Sequence, residues 1–140
     1  MTTAETTVIH AYCDAQAVQD DEAIEPNPET AREAGYHLPV ILTRRAYEHV
    51  VEWTRPGDEW MQSEDARFWD VLNTGRAAAK AALNQPGDPF GFRVARIPNK
   101  TPSGQHSKSQ LPMTVTLAIR IEPHNFDLNP CLVISIPGED

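Results

Sequence analysis

Cysteine is scarce in this chain. Cys13 and Cys131 are the two in 140 residues, far apart and in no paired spacing, which argues against a disulfide framework or a zinc knuckle. No apolar run approaches the roughly 20 residues that span a bilayer. The first residues, Met-Thr-Thr-Ala-Glu-Thr-Thr, lack the positive start and apolar core of a signal peptide. A cytoplasmic protein in a reducing compartment is the expectation. The glycine-rich phosphate cradles, the Gly-x-Ser-x-Gly elbow and the kinase set are all missing. Histidines stand at 10, 37, 49, 106 and 124, in no ligand spacing. These absences point away from an enzyme, and no cofactor or metal is expected.

What is present is negative charge, unevenly placed. The formal net charge is −8. Residues 1–70 hold 15 acidic and 5 basic side chains, whereas residues 71–140 hold 5 acidic and 7 basic. Such a chain is repelled by phosphate backbones and anionic membranes, so direct nucleic-acid binding is disfavoured and a basic partner favoured. Hydrophobic residues make up 40% and charged residues 23%, a globular balance. One domain over 1–140 is expected, long enough to bury a core without staples. The 12 prolines read as frequent turns between short elements.

Along the chain, Val8–Tyr12 reads as a strand, Asp14 as the cap of a brief helix over 15–18, and Ala23-Ile24-Glu25 as an extended piece. Pro28–Ala34, with proline near its start and Gly35 after it, reads as a short helix. Leu38–Leu42 reads as a buried strand and Thr43 as the cap of a helix reaching Thr54. Ser63, with Glu64 and Asp65 behind it, starts the longest helix. Phe68, Leu72, Gly75, Ala79 and Ala82 give that helix one face, and Asn84-Gln85-Pro86-Gly87 ends it.

The period then drops from 3.6 to 2. Phe90, Phe92 and Val94 mark one strand, Met113, Val115, Leu117, Ile119 and Ile121 a second, and Cys131–Ile136 a third. Residues 1–88 are thus mainly helical with short strands, and 89–140 are antiparallel strands around a flexible loop, 98–112. The fold class expected is α+β, with N-terminal helices packed on a C-terminal antiparallel sheet of three to four strands.

Candidate residues fall into few groups. Asp14, Asp20, Asp21, Glu22, Glu25, Glu29 and Glu33 form an acidic run suited to a basic groove, and equally to a solvated edge. Trp53, Trp60 and Trp69 lie close in sequence. Trp53 and Trp69 sit at helical positions expected in the core, whereas Trp60, beside Asp58, Glu59 and Met61, is the candidate interface anchor. His10, Tyr12 and Cys13 form a cluster that carries a nucleophile only in an electropositive setting, which Asp14 and the acids beyond it deny. His49 and Glu52 lie three apart on a helix without a second histidine. Lys100, His106 and Lys108 make a weak basic patch in the 98–112 loop.

Three stretches together carry a likeness: Val8–Tyr12 with Ala15-Gln16-Ala17, then Thr30–Tyr36 running into Pro39–Thr43, then Arg67–Leu72. With them the chain resembles a family of uncharacterised proteins carried by bacterial plasmids, phages and other mobile elements. It departs from the pattern at Asp20-Asp21-Glu22, where a glycine turn is expected, and in its longer 98–112 loop. The resemblance transfers no catalytic residues. It implies a mobile-element cargo protein, and small acidic proteins in that setting are often inhibitors of host defence, of the anti-CRISPR or anti-restriction type, that act by binding. Three functions follow in order. The first is an inhibitor contacting a basic surface of a nucleic-acid-handling complex, such as a CRISPR effector subunit. The second is a homo-oligomeric adaptor of plasmid or phage maintenance, and the third an enzyme with an unfamiliar site.

Overall fold

A computed structural model describes residues 23–122 and 130–138. Within them run β1 (Ala23–Ile24), α1 (Pro28–Glu33), β2 (Val40–Thr43), α2 (Arg44–Val50), α3 (Glu64–Thr74), α4 (Arg76–Asn84), β3 (Phe90–Arg96), β4 (Met113–Ile121) and β5 (Leu132–Ser135). The expected Val8–Tyr12 strand and 15–18 helix lie outside the described residues.

The five strands form one sheet in the order β1-β2-β5-β4-β3. The α+β class holds, but two features of the expected architecture do not. The sheet has five strands and is mixed, because β2 lies parallel to β5 while every other pair is antiparallel. The helices do not precede the sheet either; they lie between its strands in sequence. Contiguity explains the difference. β3, β4 and β5 follow one another as a meander, but β5 then needs a neighbour on its far edge, and Val40-Ile41-Leu42 supplies it from early in the chain.

Register places Val40, Leu42, Leu132, Ile134, Leu117, Ile119 and Ile121 on one face. There they meet Val50, Phe68, Val71, Leu72, Ala79 and Ala82 of the helices in a single core. Burying one such large side chain stabilises the fold by about 1.5–3 kcal/mol. The opposite face is not bare, for Ile41, Val133 and Ser135 are buried as well. Cys131 is fully buried and disulfide-bonded, which corrects the expectation that no disulfide forms.

Local chemistry sets the helix ends. The Asn27, Thr43 and Ser63 side chains accept from the backbone N–H groups of Glu29, Ala46 and Ala66, satisfying donors at each helix start. Gly35 follows α1 at φ +96, where a Cβ would be strained. The α2 helix stops at Val50, short of the expected Thr54, so Trp53 is buried from a connection and not from a helix.

The single long helix expected over 64–84 is two, α3 and α4, divided at Gly75. A Cβ there would stand 2.7 Å from Cζ of Phe92. Gly75→Ala is therefore expected to destabilise by about 1–2 kcal/mol despite alanine's better helix propensity. Phe92→Leu in the same chain recovers most of that loss, as urea midpoints will show.

Candidate functional site

The connection between α2 and α3, residues 51–63, contains no regular structure, yet it is held by an unusual number of buried polar contacts. Trp53 is its centre. Its indole N–H donates to the Asp58 carbonyl at 2.8 Å, and its backbone N–H donates to Glu64 Oε2 at 3.0 Å. The Arg55 and Arg67 guanidinium groups lie 4.8 and 5.1 Å from its ring. Arg55 donates twice to Asp58 Oδ2 and, through Nη1, to the carbonyls of Pro98 and Ser109. Gly57, at φ +82, lets the chain turn between those partners.

Arg67 and Arg96 complete the clamp. Arg67 Nε donates to the Val51 carbonyl and Nη1 to the Ile97 carbonyl, while Nη2 has no partner. Burial, and next the neighbouring Arg96, lower its pKa to about 10, so it stays charged at neutral pH. Arg96 donates to the carbonyls of Val50 and Arg67 and to Asp70 Oδ2 at 2.8 Å. Arg55 and Arg67 thus bolt the connection to α3 and to the stretch beyond β3, while Arg96 ties the end of α2 to α3 beside it.

The 98–112 stretch, expected as a flexible loop, is tied down by the same network. Asn99, 1% exposed, accepts from the Thr54 N–H at 2.8 Å, Lys100 bridges His106, and Arg55 holds both Pro98 and Ser109. Of its expected basic patch, His106 bonds to Thr54 and Lys100 lies 3.5 Å from Glu52.

Upon this frame stands Trp60, 80% exposed. It overhangs a cleft of about 600 Å³ lined by Glu59, Ser63, Ala66, Asp70 and Pro112, with Arg67 and Arg96 also contributing. The charges divide by depth. Arg67 and Arg96 are buried, whereas the Glu59 and Asp70 side chains reach solvent, so the rim presents carboxylates.

Tyr47 supports the frame from α2. Its hydroxyl donates to Glu64 Oε1 at 2.9 Å, and burial, together with that carboxylate, raises its pKa above 10. A phenol held neutral in the fold contributes stability below its unfolded pKa, near 10, that is lost as pH rises further. Arg67 acts in the opposite sense above about pH 10, because the fold releases its proton first. Tyr47→Phe is therefore expected to make stability fall less steeply above pH 10, which urea unfolding between pH 9 and 11 measures.

The sequence-derived site residues are only partly gathered. Glu59 and Trp60 lie together at the cleft. Asp58 adjoins them but faces inward onto Arg55. Glu29 and Glu33 are exposed on α1, where Glu29 pairs with Arg32, and Glu25 is partly buried after β1. The α1 helix is joined to α3 by Thr30 Oγ1 donating to Asp65. Asp14, Asp20, Asp21 and Glu22, and the His10–Tyr12–Cys13 cluster, lie outside the described residues. Trp69, expected in the core, is 38% exposed on α3 and is corrected. His49 is exposed and Glu52 is engaged with Lys100 and Asn99. Among the described residues no group of three or more His, Cys, Asp or Glu is arranged to hold a metal.

No family model, curated protein or solved structure matches the chain. The surface carries what can be said of function. Sequence reasoning missed Asp70 at the rim, although its place one turn beyond Ala66 on a capped helix was a usable signal. It also missed a second cleft, of about 750 Å³, between α2, residues 98–104 and the start of β4, lined by Arg44, Arg45, His49, Lys100, Met113 and Val115 among others. No described helix is long and apolar enough to cross a membrane.

Proposed function

We propose that this chain is a non-catalytic binding protein that inhibits a nucleic-acid-handling complex, of the host-defence kind, by seating Trp60 against a basic surface of one of its proteins. One observation carries this: an indole 80% exposed to solvent stands on a connection tied down by two buried arginines, Arg55 and Arg67. A single exposed apolar side chain needs no explanation by itself. An exposed tryptophan on a braced frame has little ordering entropy left to lose, and that is the condition for a strong interface anchor.

Charge selects the partner. The accessible groups beside Trp60 are the exposed Glu59 carboxylate and the outer side of Asp70, which Arg96 already pairs, on a chain of net charge −8. A partner lysine or arginine stacked on the indole would meet both the ring face and the acidic rim. Proteins that hold nucleic acid present such cationic surfaces. A second copy of this chain is a poorer occupant, because like rims repel, and so the adaptor reading ranks below. The mobile-element origin belongs to the same proposal and rests on the resemblance alone.

The cytosol, where such complexes work, is the proposed compartment. The Cys131 disulfide weighs against it, because cytosolic thiols are kept reduced, although its full burial slows exchange. A plasmid-interference assay tests the function. Cells carrying a CRISPR effector and this chain should retain a targeted plasmid, and cells carrying Trp60→Ala should lose it. Equal protection by the two, or none by the natural chain against any effector class, would sink the reading.

A further inference from the structure

The cleft beside α2 has the opposite character to the acidic rim. Arg44, Arg45, Arg96 and Lys100 line it with one carboxylate, Glu48. Arg96 is buried and already paired. Arg44 pairs with Glu48 at 3.7 Å and Lys100 with Glu52 at 3.5 Å, whereas Arg45 and His49 are exposed with no partner among the described residues. The unpaired charge lining this cleft is therefore that of Arg45, positive on a protein of net charge −8.

The floor of this cleft includes a strand edge. β4 is paired with β3 from Met113 to Ile119, but β5 covers its other side only from Ala118 to Ile121. Among the described residues nothing pairs with the second edge over Met113–Thr116. Those amides and carbonyls make a short template for another strand. Met113, 59% exposed, and Val115 face the cleft beside it.

We infer that this edge receives an extended acidic segment of a partner protein, which adds to the sheet beside β4. Its backbone would pair with Met113–Thr116, as in other strand-addition complexes. Alternate side chains would point into the cleft, where a glutamate's methylenes cover Met113 and Val115 and its carboxylate meets Arg45 and His49. A nucleic acid supplies phosphates but leaves the edge amides and the apolar floor unmatched, and the net charge of −8 opposes it. This inference is independent of Trp60, which lines the other cleft.

A fluorescein-labelled peptide of four Glu-Thr repeats is the probe, with a Lys-Thr peptide of equal length and a single-stranded DNA oligonucleotide as the other arms. The Glu-Thr peptide should raise anisotropy saturably and slow amide exchange over residues 113–117, while the other two do neither. Arg45→Glu, at an exposed and unpaired position, should weaken binding about tenfold or more, and Trp60→Ala should leave it unchanged. No saturable binding up to about 1 mM, the weak end of specific affinity, would overturn the proposal. So would indifference to Arg45→Glu, protection at other strands, or tighter binding of the DNA.

Discussion

Arg96→Met is expected to lower the unfolding free energy by about 3–5 kcal/mol, whereas Arg67→Met should cost only about 1–2 kcal/mol. The two arginines are both buried, both flank the Trp60 connection, and are replaced by the same apolar side chain. They differ in what they leave behind. Arg96 caps the Val50 carbonyl at the end of α2, binds the Arg67 carbonyl in α3, and is ion-paired with Asp70. Its loss leaves the buried Val50 carbonyl without its donor, strips a second donor from the Arg67 carbonyl and unpairs a carboxylate. Arg67 also holds two carbonyls and the Gln62 side chain, but among the described residues no carboxylate lies within 4 Å of it, one of its nitrogens has no partner there, and its lowered pKa records that its charge is poorly solvated. Removing it relieves a desolvation cost that offsets much of the lost bonding. Denaturant midpoints of the two variants separate these cases. If Arg67→Met proves the more damaging, the clamp depends on stacking over Trp53 and not on the Arg96 bonds.

The same clamp shows why only part of the molecule was legible in the sequence. Caps and periods are local signals, and they located the starts of α1, α2 and α3 at Pro28, Thr43 and Ser63 and the strands from Phe90 onward. Gly75 read as one more small residue on a helix face, because what divides the helix is a phenyl ring 17 positions away. The parallel pairing of β2 with β5 joins segments about 90 residues apart, and no local pattern announces it. Arg96 follows Phe90, Phe92 and Val94 in the inward phase of its strand, but a terminal arginine looks like the point where a strand meets water. The candidate site suffered most. Trp60 was visible from its polar neighbours, while the two guanidinium groups that brace its connection come from that connection and from a helix, and Arg96 joins the flanking helices from a strand.

The largest functional effect is expected at Trp60. Trp60→Ala should weaken binding of the cationic partner about 30-fold or more, some 2 kcal/mol at least, with the melting temperature unchanged. The prediction has two halves because the side chain is 80% exposed and makes no hydrogen bond among the described residues, so the fold loses almost nothing with it. Glu59→Lys at the same rim should behave differently. An exposed rim charge steers encounter, so its reversal should slow association and flatten the salt dependence while changing dissociation little. Surface plasmon resonance on the effector subunit identified by the interference assay, at two ionic strengths, resolves the pair. An anchor held ready by Arg55 and Arg67 predicts that Trp60→Ala raises the dissociation rate. If the loss falls on association instead, the connection is being ordered during binding, and the buried arginines are not what makes this tryptophan an anchor.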